Sequence, residues 1–397
     1  MINISTIREQ TPGIGHITHF NNAGAALPPA SVIERVQSYL TEEALYGGYE
    51  IASKYRDERE SIYTAIADML NAQSNQIALM ESATDAWQRA FYSIPLHSGD
   101  KIITSRLEYG SNAIAYIQRC RNSGASLEII DSDNRGIIDV NQLEEALDAH
   151  TKVVSITHMP TNGGAVQPIE EIGQLITQSA YNPWYLVDAC QSAGQYKLDM
   201  SAIQCDVLTA TGRKYLRGPR GTGFLAVSER FLQDDRIEPA MLDHFGAQWT
   251  AEQDYTLRSD ARRFERWEAN WGIRLGLGEA VRYAHQLGLN NIRQRVHKLA
   301  TELRNGLNHL PGYTVRDAGT PDSQSGIVTF THDKMEAIPI RKALAKQSIN
   351  VSVSTAGSAR WDMEDRHLPS LVRASVHYYN SQEEINILGE ALESIHN

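Results

Sequence analysis

Cysteine is scarce in this chain: three in 397 residues, Cys120, Cys190 and Cys205. Their spacing matches no metal-ligand pattern, so no metal is expected, and an odd, sparse set suits a reducing compartment. Long apolar runs are missing too. Nothing approaches the roughly 18 consecutive apolar residues of a membrane span, so no membrane association is expected. Positive charge is in deficit, with 37 Lys and Arg against 48 Asp and Glu and a formal net charge of −11. That balance argues against non-specific nucleic-acid binding and favours solubility. The N-terminal stretch MINISTIREQTPGIG lacks the basic-then-apolar order of a secretory leader, so a cytoplasmic location is expected by default. There is no internal repeat, low-complexity tract or block of like charge.

Hydrophobic residues make up 42% of the chain and charged residues 21%, a globular composition. The length favours two domains. A helix is predicted from Pro28-Pro29 to about Leu45 and another from about Ile51 to Leu70, broken apart by Tyr46-Gly47-Gly48-Tyr49. The short strand Ile77–Met80 runs into Glu81-Ser82-Ala83-Thr84-Asp85. Small hydroxylic residues at a helix start make either a phosphate-ready turn or an ordinary N-cap. From Lys101, strands at 101–104, 126–130, 153–158 and 185–187 alternate with helices at about 112–123, 140–149 and 169–181. This order predicts a parallel sheet covered on both faces, with function in the loops at the strand ends. Those loops are Glu108-Tyr109-Gly110, His158 to Gly164, Asp188 to Gln191 and Thr211 to Lys214. Residues 233–271 are charged, Trp-rich and without a simple period, as in an irregular active-site or interface segment. Two long helices then lead into a smaller α+β region. The expected division is an arm over 1–20, a large domain over 21–285 and a small domain over 286–397.

The stretch Trp184 to Val227 organises the rest: WYLVDACQSAGQYKLDMSAIQCDVLTATGRKYLRGPRGTGFLAV. One apolar strand ends on Asp188, with Gln191 three residues on. A second is followed by Thr211-Gly212-Arg213-Lys214 and a Gly/Pro-rich turn. Lys214 follows Asp188 by 26 residues, about one βαβ unit, so neighbouring strand ends can carry both to one crevice. An acid for a pyridinium nitrogen and a lysine for a Schiff base are what pyridoxal phosphate (PLP) needs from a protein. Alone, such an Asp caps a helix and such a Lys is solvated; their joint placement with Gln191 and Arg213 favours the cofactor.

With these motifs in order, the chain resembles the class V aminotransferase family of fold-type I PLP enzymes, from Phe20 to about Leu392. That group includes cysteine desulfurases, selenocysteine lyases, C–S lyases and isopenicillin N epimerase-like proteins. The resemblance implies an α/β PLP-dependent transferase fold with a mainly parallel seven-stranded sheet and a smaller α+β C-terminal domain. It implies a homodimer acting on a small-molecule amino-acid substrate. It places Ala83 and Thr84 in the phosphate turn, Tyr109 stacked on the ring, and Asn162 against cofactor or substrate. Asp188 falls at the pyridine nitrogen, Gln191 at the ring hydroxyl, Thr211 and Arg213 toward the phosphate, and Lys214 as Schiff base and proton acceptor. Asn22, in Phe20-Asn21-Asn22-Ala23-Gly24, falls in the substrate region, and Arg373 on the substrate carboxylate. The plain alternative for Arg373 is a strand-end pair with Glu383 or Glu384.

Two departures stand out. The loop Ser352–Asp362, where desulfurases of the family carry a sulfur-accepting cysteine, has none; Ser358 lies near that position. Serine cannot hold a persulfide, so desulfuration by that route is disfavoured. This loop is read as a flap in which Arg360 or Trp361 selects the distal part of the substrate. In Arg263-Phe264-Glu265-Arg266-Trp267-Glu268, Trp267-Glu268 replaces a Gly-Thr whose Thr reaches the partner subunit's phosphate in the family. Cys190 is expected as a buried cysteine under the cofactor. The expected activity is β-elimination from a cysteine-derived thioether or sulfoxide, as in ergothioneine-type C–S lyases. Transamination or epimerisation is the alternative, and a non-catalytic homologue the competing class.

Overall fold

The structure, a computed structural model, describes residues 2–396. Its centre is a seven-stranded sheet in the order Ile77–Met80, Gly223–Val227, Val207–Thr211, Trp184–Asp188, Thr151–Thr157, Lys101–Ser105, Ser126–Ile130. The strands read as nearly continuous apolar runs because both faces are covered. Tyr185 and Val187 feed one core while Leu186 feeds the other, the two-residue alternation of a strand buried on both sides.

Six strands are parallel; Gly223–Val227 runs against both its neighbours. The turn from Thr211 to Gly223 is too short for a crossover helix, so the chain returns antiparallel. Gly223 is required there, since a Cβ would lie 2.7 Å from both Ala210 O and Ser82 C. Thr157, Asp188 and Thr209 stand in register across three adjacent parallel strands, so their C-terminal ends open on one side.

A second, antiparallel sheet orders Tyr313–Val315, Ile327–His332, Leu371–Ser375 and Ser352–Ser354. Thr18–His19 pairs with Ile349–Asn350, which ties the N-terminal segment to this C-terminal part. No described helix is long and apolar enough to cross a membrane.

Three local expectations are corrected. The helix expected over 51–70 is two helices, Gly48–Lys54 and Arg56–Leu70, jointed at Tyr55. Tyr55 donates its hydroxyl to Glu42 at 2.6 Å and lies 4.5 Å from the Arg35 guanidinium, tertiary contacts that a helical period does not reveal. The stretch 233–271 contains the hairpin Ala247–Ala251 with Asp254–Leu257, mostly exposed and so without apolar alternation to announce it. The loop 352–362 is a short strand, a single 3-10 turn at Ala356–Ser358 and the start of a helix, Arg360–Asp365.

Candidate active site

A cavity of about 220 Å³ opens at the C-terminal strand ends and gathers Ala83, Thr84, Tyr109, Asp188, Gln191, Thr211, Arg213 and Lys214. This is the crevice an α/β sheet offers to ligands. Asn22, Asn162, Arg360 and Arg373 do not line it.

Asp188 is buried at its strand end. Its Oδ1 accepts from the Cys190 N–H at 2.9 Å and its Oδ2 from Asn112 Nδ2 at 3.0 Å. The same Asn112 nitrogen donates to Glu108 Oε1 at 3.1 Å, so one amide bridges two buried carboxylates. Glu108 is further held by Tyr116, Thr157 and the Tyr109 N–H. Burial raises the pKa of both acids, and the neighbouring Asp188 charge adds to this for Glu108, while the hydrogen bonds each accepts favour its charged form. Glu108 thereby fixes the backbone of Tyr109, whose ring lines the cavity. Asn112 was not singled out from sequence; its signal is the four-residue spacing from Glu108.

Lys214 is buried and donates to Cys190 Sγ at 3.3 Å. Burial lowers its pKa, and the nearby Arg213 adds to this. Cys190 is half-buried against the cavity, and burial raises its thiol pKa. Arg213 gives one arm to the Gly24 carbonyl. Ser82 caps the helix Ala83–Ser93 by accepting from the Asp85 N–H. The first-turn N–H groups of Ala83 and Thr84 have no carbonyl to bond within the helix. The Thr211 hydroxyl donates to Thr222 O at 3.1 Å.

Arg373 sits between two strands, opposite Thr329 and Ser352. It is 8% exposed. Its Nη1 donates to Thr161 O at 3.0 Å and Thr161 Oγ1 at 2.6 Å, and its Nη2 reaches Ser352 Oγ at 3.3 Å. Thr161 itself lines the cavity, so Arg373 stands directly behind that wall. Glu384 pairs with Arg8, not with Arg373. Asn162 donates at 2.6 Å to Asp362 of the helix Arg360–Asp365, which ties that segment down, and its buried Oδ1 has no donor among the described residues. Asn22 spends its amide on Ser375 O at 2.6 Å and accepts from Tyr379 OH, which commits it to the scaffold. Arg360 is exposed and pairs with Glu364. Trp267 and Glu268 line a separate cavity of about 500 Å³ with Arg56, Arg59 and Trp271.

Asp188, Lys214 and Arg373 are all buried, and none makes an ion pair among the described residues. Unpaired buried charges are costly, so they call for a ligand with a cationic nitrogen and anionic groups. Gln191 donates to Ala23 O at 3.2 Å and leaves a buried Oε1 without a donor among the described residues, an acceptor suited to a ligand hydroxyl. PLP with an amino acid meets each of these demands.

The family model for aminotransferase class-V matches residues 18–388. A probable cysteine desulfurase of Methanothermobacter thermautotrophicus is 27% identical over 395 residues, covering 98% of this chain and 97% of that protein. A cysteine desulfurase of Enterobacter sp. is 28% identical over 393 residues, covering 96% and 93%. The apo structure of a cysteine desulfurase from Thermococcus onnurineus NA1 is similar with a TM-score of 0.91 at 25% identity, covering 100% of this chain and 98% of that one. The cystine C–S lyase C-DES, in complex with its product cysteine persulfide, is similar with a TM-score of 0.85 at 25% identity over 97% and 99% of the two chains. Another structure of C-DES holds glycine covalently linked to the PLP cofactor. Over nearly its whole length, then, this chain belongs to the class V aminotransferase family and is a PLP-dependent enzyme acting on amino acids.

Proposed function

We propose that the enzyme cleaves a C–S bond by β-elimination from a cysteine-derived thioether or sulfoxide, giving pyruvate, ammonia and a sulfur product. One observation carries this reading: the segment Ser352–Asp362, beside Arg373, holds no cysteine. Of the cysteines elsewhere, Cys205 is buried in the core and Cys120 lies on the helix Gly110–Ser123. Cys190 does line the cavity, but burial keeps its thiol neutral, and a neutral thiol is a poor sulfur acceptor. Sulfur then leaves as product instead of staying on the chain. The names of the relatives, cysteine desulfurase and cystine C–S lyase, share the C–S cleavage.

When bound, PLP supplies a sink for the electron pair left at the substrate Cα. Asp188, oriented by the Cys190 N–H and Asn112, would keep the pyridine nitrogen protonated. Arg373 would fix the substrate carboxylate with its two-pronged guanidinium. Lys214, its pKa lowered by burial, would take the Cα proton at Nζ. Tyr109 would cover one face of the ring. The Cβ–S bond then breaks with its electron pair going to sulfur, and water completes the conversion to pyruvate and ammonia. A panel of S-substituted cysteines and their sulfoxides, assayed for pyruvate, tests this. Pyruvate in step with the sulfur product is expected. No pyruvate from any of them, with a keto acid and pyridoxamine phosphate formed instead, would favour transamination; loss of optical activity without cleavage would favour epimerisation.

A further inference from the structure

We propose that Arg220 is a ligand of the cofactor's phosphate, supplied by the same chain that carries Lys214. Arg220 lines the cavity together with Ala83, Thr84, Thr211 and Arg213. Its guanidinium makes no ion pair or hydrogen bond among the described residues. It is exposed, at the open side of the cavity.

The loop that carries it is stiff. Gly212 N–H donates to Thr222 O at 3.0 Å, Gly218 N–H to Gly212 O at 2.7 Å, and Thr222 Oγ1 to Pro219 O at 2.6 Å. Gly221 follows with φ +79°, a turn that glycine makes at no steric cost. A closed loop of this kind holds Arg220 against the cavity without pairing it to protein.

The charge balance needs such a group. A phosphate monoester carries about −1.5 to −2 at neutral pH. Arg213 has one arm engaged with Gly24 O, and the Thr211 hydroxyl proton is engaged with Thr222 O. Thr84 and the first-turn N–H groups donate but bring no full charge. Glu81 also lines the cavity, and its carboxylate is answered by Arg274 at 3.3 Å, which leaves Arg220 as the second full cation for the anion. A phosphate completed from within the chain also needs no threonine at position 268, where this sequence has a glutamate that would repel it.

The test compares PLP with pyridoxal, which lacks the phosphate, by titrating apoprotein of wild type, Arg220→Gln, Arg220→Lys and Glu81→Gln, alongside the ³¹P shift of bound PLP. Arg220→Gln should weaken PLP binding by about tenfold or more, the span of a lost hydrogen-bonded charge contact, and leave pyridoxal binding within about twofold. Its ³¹P signal should move, and Arg220→Lys should recover part of the affinity. Glu81→Gln should leave PLP affinity unchanged or tighter. PLP binding by Arg220→Gln within about twofold of wild type would overturn the proposal. So would equal losses for PLP and pyridoxal, the mark of a structural role, or a Glu81→Gln loss that matched that of Arg220→Gln, the mark of a protein–protein pair.

Discussion

Arg373→Ala removes a cation that the fold buries at a cost and gives no carboxylate in return. Burial pulls its pKa down to about 10, so it stays protonated at neutral pH. Two of its arms are aimed by Thr161 and Ser352, while Nε has no partner among the described residues. Losing one side of a desolvated charge pair costs about 2–5 kcal/mol. At about 1.4 kcal/mol per tenfold, kcat/KM should fall by about 30-fold to more than 10³-fold for every amino-acid substrate. The cofactor absorbance should be retained, because Arg373 itself lies outside the cavity that holds Lys214. Arg373→Lys keeps the charge but not the fork, and should lie between. Steady-state kinetics on two or more amino acids, with absorbance spectra of each variant, give the answer. If Arg373→Ala stayed within about threefold of wild type, the substrate carboxylate would bind elsewhere and the reasoning from an unpaired buried cation would fail.

Four further outcomes are expected. Because burial lowers the pKa of Lys214, its neutral amine appears at lower pH than a free lysine's. The rate of PLP capture by apoenzyme should therefore rise with pH to a plateau whose midpoint lies below the ordinary lysine value of 10.5; a midpoint at or above 10.5 would contradict this. Asn112→Leu strips the shared donor from Asp188 and Glu108, leaving buried acceptors unsatisfied at about 1–3 kcal/mol. It should weaken PLP and pyridoxal alike, unlike a change at Arg220, and an unaltered titration would count against the bridge. Asn162→Ala unlatches Asp362, so hydrogen exchange over 356–366 should quicken and KM rise with PLP affinity unchanged; identical exchange would exclude a latch. Exposed Trp249, Trp267 and Tyr49 point to a covered face in a homodimer, and sedimentation at micromolar concentration should give twice the chain mass, a monomer alone being the contrary result.

Much of this architecture is legible in the sequence because the strands are buried on both faces. Runs such as Tyr185-Leu186-Val187 need no alternation to be seen, and each ends on a residue with chemistry. Asp188 and Lys214 meet because adjacent strand ends follow from a spacing of one βαβ unit. What sequence does not reveal is which polar atoms are already spent. Asn22 has the right amide at the right motif, yet Ser375 and Tyr379, both far along the chain, claim its hydrogen bonds, while Asn162 spends its amide nitrogen on the equally distant Asp362. Thr161 was passed over for the converse reason, since it gains its place only when Arg373, far along the chain, donates to it. The reversed strand Gly223–Val227 follows from a turn too short to cross over, a constraint of length and not of residue type.

The most direct test is to trap the bond between the enzyme and its cofactor. Holoprotein reduced with borohydride, digested and examined by mass spectrometry should carry a pyridoxyl group on the peptide containing Lys214, and Lys214→Ala should carry none there. Label on a different lysine, or a wild-type protein that takes up no label after incubation with PLP, would contradict the account.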